Sequence, residues 1–163
     1  MRRLRGLLLL LALLGIAGAL RWWQAPASVS PEHIDEIFTR CGQGSSFACV
    51  SDGDSFRLGQ RKIRVRGIDA PETGEKARCP EERVKADQAR DALLDWLNRG
   101  PFTMTPKPGD SRDQYGRDLR IVTRNGKSVD DELIAKGLAH KYVNRKLDWC
   151  VSSIATPSKE PKA

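Results

Sequence analysis

The sequence predicts a single α+β domain of five short strands and two to three helices, and three observations carry that expectation. Apolar and polar residues alternate over short runs, most clearly at Ile63, Arg64, Val65 and Arg66, the period-two pattern of a strand with one buried face. One longer stretch, residues 80 to about 98, instead repeats its apolar residues near helical spacing. Turn residues separate the runs: Asp52-Gly53-Asp54, Gly59-Gln60 and Asn125-Gly126. At 163 residues the chain can build one core but not two.

The first element is apolar throughout. Arg2, Arg3 and Arg5 precede an uncharged run from Gly6 to Leu20, which Arg21-Trp22-Trp23 follows. A positive start, a 15-residue apolar block and the tripeptide Ala17-Gly18-Ala19 read as an export signal. A spanning helix needs about 20 apolar residues. Leu4 and the tryptophan pair extend this block, so residues 6–23 serve either as a cleaved signal or as a retained membrane anchor with Trp22 and Trp23 at the interface. Residues 1–27 are assigned to this segment, and the location it implies is periplasmic or extracellular. Cys41, Cys49, Cys79 and Cys150 fit two disulfides in an oxidising compartment, with all three pairings open. No Cys-x-x-Cys or neighbouring histidine gives them a zinc-binding spacing.

Residues 28–46 read as an added helix and loop: Ser30 caps, Pro31 takes the first helical position, and Ile34, Ile37 and Phe38 form a short stripe ending near Arg40. The main domain follows over 47–151. Strands are expected at 47–51, 55–58 and 62–68, the third with Ile63 and Val65 inward and Arg64 and Arg66 outward. Pro80 opens the long helix, whose stripe is Val84, Ala89, Leu93, Trp96 and Leu97 and whose stop is Gly100. A fourth strand at 102–105, a loop at 106–110 and a fifth strand at 119–123 lead to the Asn125-Gly126 turn. A helix from residue 129, capped by Ser128, ends near Gly137, and 138–143 is extended. The tail, 152–163, is too polar and proline-rich to pack and is expected to be disordered.

The formal charge is +7, from 28 basic and 21 acidic residues. Arg2, Arg3, Arg5 and Arg21 belong to the N-terminal segment, which leaves 24 basic against the same 21 acidic residues, about +3. So mild a bias admits a polyanionic partner without identifying one.

The chemistry concentrates between Asp52 and Glu72, with a short echo at Asp113-Gln114-Tyr115-Gly116-Arg117. Carboxylates are the ligands of hard divalent cations, guanidinium forks clamp phosphates, and an acid beyond those needed for the metal is left to move a proton. Asp52-Gly53-Asp54-Ser55, the run Ile63 to Glu72, Asp113 to Arg117, and the segment from Val129 to Leu138 and Ala139 together resemble the staphylococcal nuclease (thermonuclease) family, in the family's order, in an exported bacterial form with extra cysteines. Cys79 and Cys150 lie in segments similar to those of bacterial relatives. The resemblance implies a five-stranded β-barrel of the oligonucleotide-binding (OB) type. It further implies a calcium ion held by Asp54, Asp69 and the backbone carbonyl of Ala70, with Arg64 and Arg117 on the phosphate and Glu72 as general base. DNA and RNA would be cut with little sequence specificity, leaving 3′-phosphates. Separately from the resemblance, no protein partner is expected and the chain is expected to be a monomer.

Each residue also has a local reading. Asp52 and Asp54 can form an Asx-turn, Asp69 and Glu72 can cap the turn around Pro71, and Arg117 can pair with Asp113. Asp52 is expected behind the metal ligands. Tyr115 packs beside a nucleotide or against the barrel edge, and His33 and His140 are expected on the surface. Two other functional classes compete with the enzyme: an OB-type module of the cell envelope that binds nucleic acid without cutting it, and an envelope interaction domain.

Overall fold

The alternation through the middle of the chain becomes a curled mixed sheet in the computed structural model, which describes residues 30–44, 47–143 and 145–150. The expectations for residues 6–23 and for the tail 152–163 fall outside the described residues. The strands are β1 (Glu32–Ile34), β2 (Thr39–Arg40), β3 (Ala48–Asp52), β4 (Ser55–Leu58), β5 (Arg61–Val65), β6 (Ile68–Asp69), β7 (Phe102–Thr105), β8 (Asp118–Arg124), β9 (Lys127–Ser128) and β10 (His140–Lys141). Two α-helices, α1 (Pro80–Asn98) and α2 (Val129–Ala135), complete the α+β fold. The main sheet runs β1-β7-β8-β5-β4-β3-β2, with β9 paired to β8, while β6 and β10 form a separate pair. Its curl is that of an OB-type domain. The five expected strands correspond to β3, β4, β5, β7 and β8, and the short additions lie around them.

The core lies between the sheet and α1. Val50, Phe56, Ile63, Val65, Phe102, Met104 and Val122 project from the strands to meet Ala89, Leu93, Trp96 and Leu97 of the helix. Burying one such large side chain contributes about 1.5–3 kcal/mol. Val84, expected on the helix stripe, is exposed instead, and Glu82 takes a buried place on that helix. At the far end of α1, Arg124 donates to the carbonyls of Trp96, Leu97, Gly100 and Pro101 and lies over the Trp96 ring. It thereby satisfies the carbonyls that a helix end leaves without partners.

The N-terminal element departs from expectation. Residues 32–34 form a strand rather than a helix, pairing antiparallel with β7 in the register Glu32↔Met104 to Ile34↔Phe102. Phe38 still reaches the core, its ring 5.5 Å from Phe56 and 5.9 Å from Phe102, and both its backbone groups are held by the Asn98 side chain. Ile37 is left outside. A helix stripe and an extended strand followed by a bend place Ile34 and Phe38 inward equally well, and the unpaired edge of β7 selects the strand. Thr39 and Arg40 then run parallel to β3, next to the Cys41–Cys49 disulfide.

The expected third strand is also broken. Gly67 has φ +85°, a conformation an L side chain resists, so the chain turns after β5. Asp69 thus comes to pair with His140 in β10 rather than continuing the main sheet. Asn125 (φ 50°) and Gly126 (φ 76°) make the tight turn that their sequence predicts.

The inward row of β8 opens with charges: Asp118 and Arg120 are both buried. Asp118 accepts from Arg61 at 2.8 Å and Arg112 at 2.9 Å, and Arg120 lies 3.1 Å away. Glu32 of β1 bonds Arg61 at 2.5 and 2.9 Å and Arg120 at 3.3 Å. Arginine bonds hold the Glu32 carboxyl below its ordinary value, chiefly the one from Arg61. At Asp118 burial opposes ionisation, yet Arg112, Arg61 and Arg120 together outweigh it and lower the value.

Two expectations follow. Native carboxyls lowered in this way contribute stability that is complete above their unfolded values, about pH 4, and is lost as pH falls through the native values. Urea midpoints measured from pH 7 downward should therefore fall below about pH 4, and Glu32→Gln should flatten that fall. Gly53 packs against α1 so closely that an added Cβ would sit 2.5 Å from the Ala89 Cβ and 3.0 Å from that of Ala70. Gly53→Ala should cost about 2 kcal/mol, the range for overpacking a core, read as a lower urea midpoint.

Candidate active site

Asp54 stands in the turn immediately before β4, and Arg64 projects from β5, where it pairs in register with Ser55. The Val65 N–H bonds the Asp54 carbonyl at 2.8 Å, which locks the turn to the strand. Asp69 returns to the same place because Gly67 reverses the chain. One guanidinium then meets both acids: Arg64 Nη1 lies 2.9 Å from Asp54 Oδ2, and Nη2 lies 3.3 Å from Asp69 Oδ1. Both aspartates are 4% exposed. Asp54 also accepts from the Ser55 hydroxyl at 2.7 Å and from the Ala70 N–H at 3.1 Å. Burial pushes the Asp69 carboxyl up, and the Asp54 charge adds to it; Arg64 and Lys146 offset this only in part. Two buried carboxylates thus meet at one point, and their donors are the hard oxygens a divalent cation prefers. The residues present therefore fit a metal of that kind.

The acids form the floor of an open cleft of about 1030 Å³. Arg64, Ala70, Glu72, Tyr115 and Arg117 line the same cleft, so all seven residues singled out in the sequence converge on it. The Glu72 N–H donates to Glu82 Oε1 at 3.3 Å, which ties its loop to α1, and its carboxylate pairs with Lys146. Asp52 accepts from the Thr73 hydroxyl and so braces that loop from β3. Asp113 orders the other wall: its Oδ1 accepts the N–H groups of Tyr115 and Arg117, each at 2.9 Å, and its Oδ2 accepts Arg117 Nε at 2.7 Å. Burial opposes the Asp113 charge, but these bonds lower its carboxyl overall. The local pairing of Arg117 with Asp113 is thus real and coexists with a place in the cleft. Among the described residues, the Nη groups of Arg117 meet no acceptor. Tyr115 is 73% exposed, its ring 5.5 Å from the Arg117 guanidinium, and so is not packed against the barrel edge.

Sequence reasoning missed three participants. Glu82 is fully buried and accepts from the N–H of Glu72, the N–H of Arg78 and Arg78 Nε. Its sequence position, in the first turn of a helix, signals only a charge suited to a helix N-terminus. Lys146 comes from residues 145–150, which the Cys79–Cys150 disulfide holds against the start of α1. His140, expected on the surface, is half-buried under Trp149, ring centroids 4.0 Å apart. Pairing Cys41 with Cys49 and Cys79 with Cys150 resolves the three connectivities left open. Cys79, Glu82 and Cys150 cluster closely, but both sulfurs belong to the disulfide, so the group is no metal centre. No helix among the described residues is long and apolar enough to cross a membrane.

A model of the staphylococcal nuclease homologue family matches residues 62–154, more than half of the chain. That span includes Arg64, Asp69, Ala70, Glu72, Tyr115 and Arg117 and begins beyond Asp54. The chain is similar to endonuclease YncB of Bacillus subtilis (strain 168), 34% identical over 92 residues that make up 54% of this chain and 43% of that protein. It is equally similar to the SPbeta prophage-derived endonuclease YokF of the same organism, 34% over 92 residues, 54% of this chain and 30% of the relative. Endonuclease YhcR, also of that strain, is 33% identical over 102 residues, 57% of this chain and 8% of that protein. The chain thus spans less than half the length of each of these relatives.

The cost of burying Asp69 beside Asp54 can be tested without any metal. Asp69→Asn removes a carboxylate that burial and Asp54 both disfavour, so in chelator its Tm should rise by roughly 2–4 °C, the shift that about 1 kcal/mol produces in a domain of this size. A lower Tm would show that the bond to Arg64 outweighs the repulsion.

Proposed function

Because the chain belongs to the staphylococcal nuclease family, we propose that it is a calcium-dependent endonuclease that hydrolyses phosphodiester bonds of DNA and RNA with little sequence specificity. The observation that carries this reading is the meeting of Asp54 and Asp69 on Arg64 at the floor of a cleft that Glu72 and Arg117 also line. Asp54, Asp69 and the carbonyl of Ala70 would hold the ion. Bound there, calcium supplies positive charge to the phosphate and accepts an irregular oxygen shell.

The chain's own groups account for the rest of the chemistry. Arg64 and Arg117 contact phosphate oxygens, and their hydrogen bonds strengthen as negative charge gathers on those oxygens in the transition state. Glu72 accepts a proton from the attacking water, whose oxygen bonds to phosphorus as the bond to the 5′ oxygen breaks. The 5′ oxygen takes up a proton from solvent as it leaves, and the phosphate stays on the 3′ side. Tyr115, exposed beside Arg117, packs against a nucleotide. The Asp113 bonds that order Arg117 place its guanidinium in advance, so little ordering entropy is lost when a phosphate binds. Two disulfides favour an exported protein acting outside the cytoplasm. Residues 6–23 would deliver it there, as a cleaved signal or as an anchor.

Purified protein incubated with DNA or RNA is expected to cut both with calcium and neither with chelator. Glu72→Gln and Arg117→Ala should each lower the rate by about a hundredfold or more, with circular dichroism and Tm close to the parent's. An unchanged rate in either variant removes its assigned role. Nucleic acid retained uncut with calcium would identify a binding module instead.

A further inference from the structure

The segment 145–150 forms a strap across one end of the cleft. Just before it, β10 pairs with β6, and the Tyr142 N–H bonds the Gly67 carbonyl at 2.8 Å. At its far end, Cys150 is disulfide-bonded to Cys79, the N-cap residue of α1. Between these points Arg78 donates to the Leu147 carbonyl at 2.9 Å and pairs with Asp148 at 3.4 Å. Trp149 stacks on His140, and the Lys85 ammonium lies 5.3 Å from its ring centre. The strap closes over a small pocket of about 100 Å³ whose walls include Asp69, Ala70, Glu72, Glu82, Lys146 and Trp149. Lys146 is the group the strap sets on Glu72.

Resting on the reading of Glu72 as the proton-accepting group, we infer that Lys146 is a positioning residue for its carboxylate. Three observations support the assignment. The Glu72 backbone is already held to α1 by Glu82, so side-chain rotation is the freedom that remains, and the Lys146 ion pair restrains it. Arg64 is engaged with Asp54 and Asp69, and Arg117 with Asp113, so neither is the cation placed on Glu72. An ordinary exposed lysine gains little from an ion pair because its long side chain must be ordered. Here the Arg78 bond to Leu147 and the Cys79–Cys150 disulfide anchor the strap beside the cleft, so only the lysine side chain remains to be ordered. Lys146 also offsets the repulsion that Asp54 and Asp69 exert on a third carboxylate entering the same cleft.

The test compares the full chain with Lys146→Met and Lys146→Arg in steady-state cleavage of a labelled DNA oligonucleotide with calcium. Loss of positioning lowers kcat by about tenfold, a fraction of what a general base supplies, while KM stays within about twofold, and the arginine variant recovers most of the rate. An effect confined to KM would make Lys146 a substrate contact, and a raised kcat would make it a block; either result, or no change, overturns the inference. A parent protein that cuts no nucleic acid with calcium would instead sink the nuclease reading. Independently of cleavage, the Lys146 ammonium resonance of metal-free, ¹⁵N-lysine-labelled protein should move on Glu72→Gln, and an unmoved resonance overturns the pairing.

Discussion

One guanidinium holds the site together. Two carboxylates taken out of water side by side repel each other and lose hydration, and an uncompensated pair would open the fold around it. Arg64 meets both, and three backbone features must hold for it to do so. The β4–β5 hairpin has to set Ser55 opposite Arg64, the Asp52-Gly53-Asp54 turn has to pack flat against α1, and the chain has to reverse at Gly67. Each lies within 16 residues of the others in sequence, so the floor of the cleft is assembled by local chain geometry and buttressed by one helix. Even so, the Asp69 carboxyl stays raised, chiefly because it is buried and also because the Asp54 charge lies beside it. Two buried carboxylates converging on one point are what links the fold to cation chemistry.

The wall that carries Glu72 is built differently, and its strap is held by contacts between distant parts of the chain. Glu82 occupies a fully buried position on α1 and uses its carboxylate to hold the loop that carries Glu72 and the backbone of Arg78. Arg78 in turn holds the strap that the Cys79–Cys150 disulfide closes. On the other side Asp113 folds a five-residue loop around its own carboxylate, and Arg112 reaches Asp118 in the network that begins at Glu32. The N-terminal strand therefore extends the sheet and also supplies one carboxylate to the charges bracing the Arg117 loop.

The misreading of that strand has a definite cause. Ser30-Pro31 is a sound helix start, and Ile34 with Phe38 has helical spacing. Over so few residues, however, helix propensity amounts to only a few tenths of a kcal/mol per residue. Pairing with β7, the bonds from Arg61 and Arg120 to Glu32, and the Asn98 bonds to the Phe38 backbone all favour the extended form. Val84 has a different cause: at about 3.6 residues per turn it falls opposite Leu93, so strict helical spacing turns it toward solvent and sets Glu82 and Ala86 inward.

Elements whose signals are local were legible in the residues alone: the β4 strand, both helices, the Ser128 cap and the Asn125-Gly126 turn, while the shared destination of the acids and arginines came from the family resemblance. Those signals are alternation, capping and turn chemistry, which act between residues close in the chain and so leave a trace in their order. The disulfide pairing, the strand at 32–34, the burial of Glu82 and the meeting of Lys146 with Glu72 were decided by the tertiary structure. Each depends on which of several chemically equal partners the fold brings near, and only packing of the sheet against α1 selects among them.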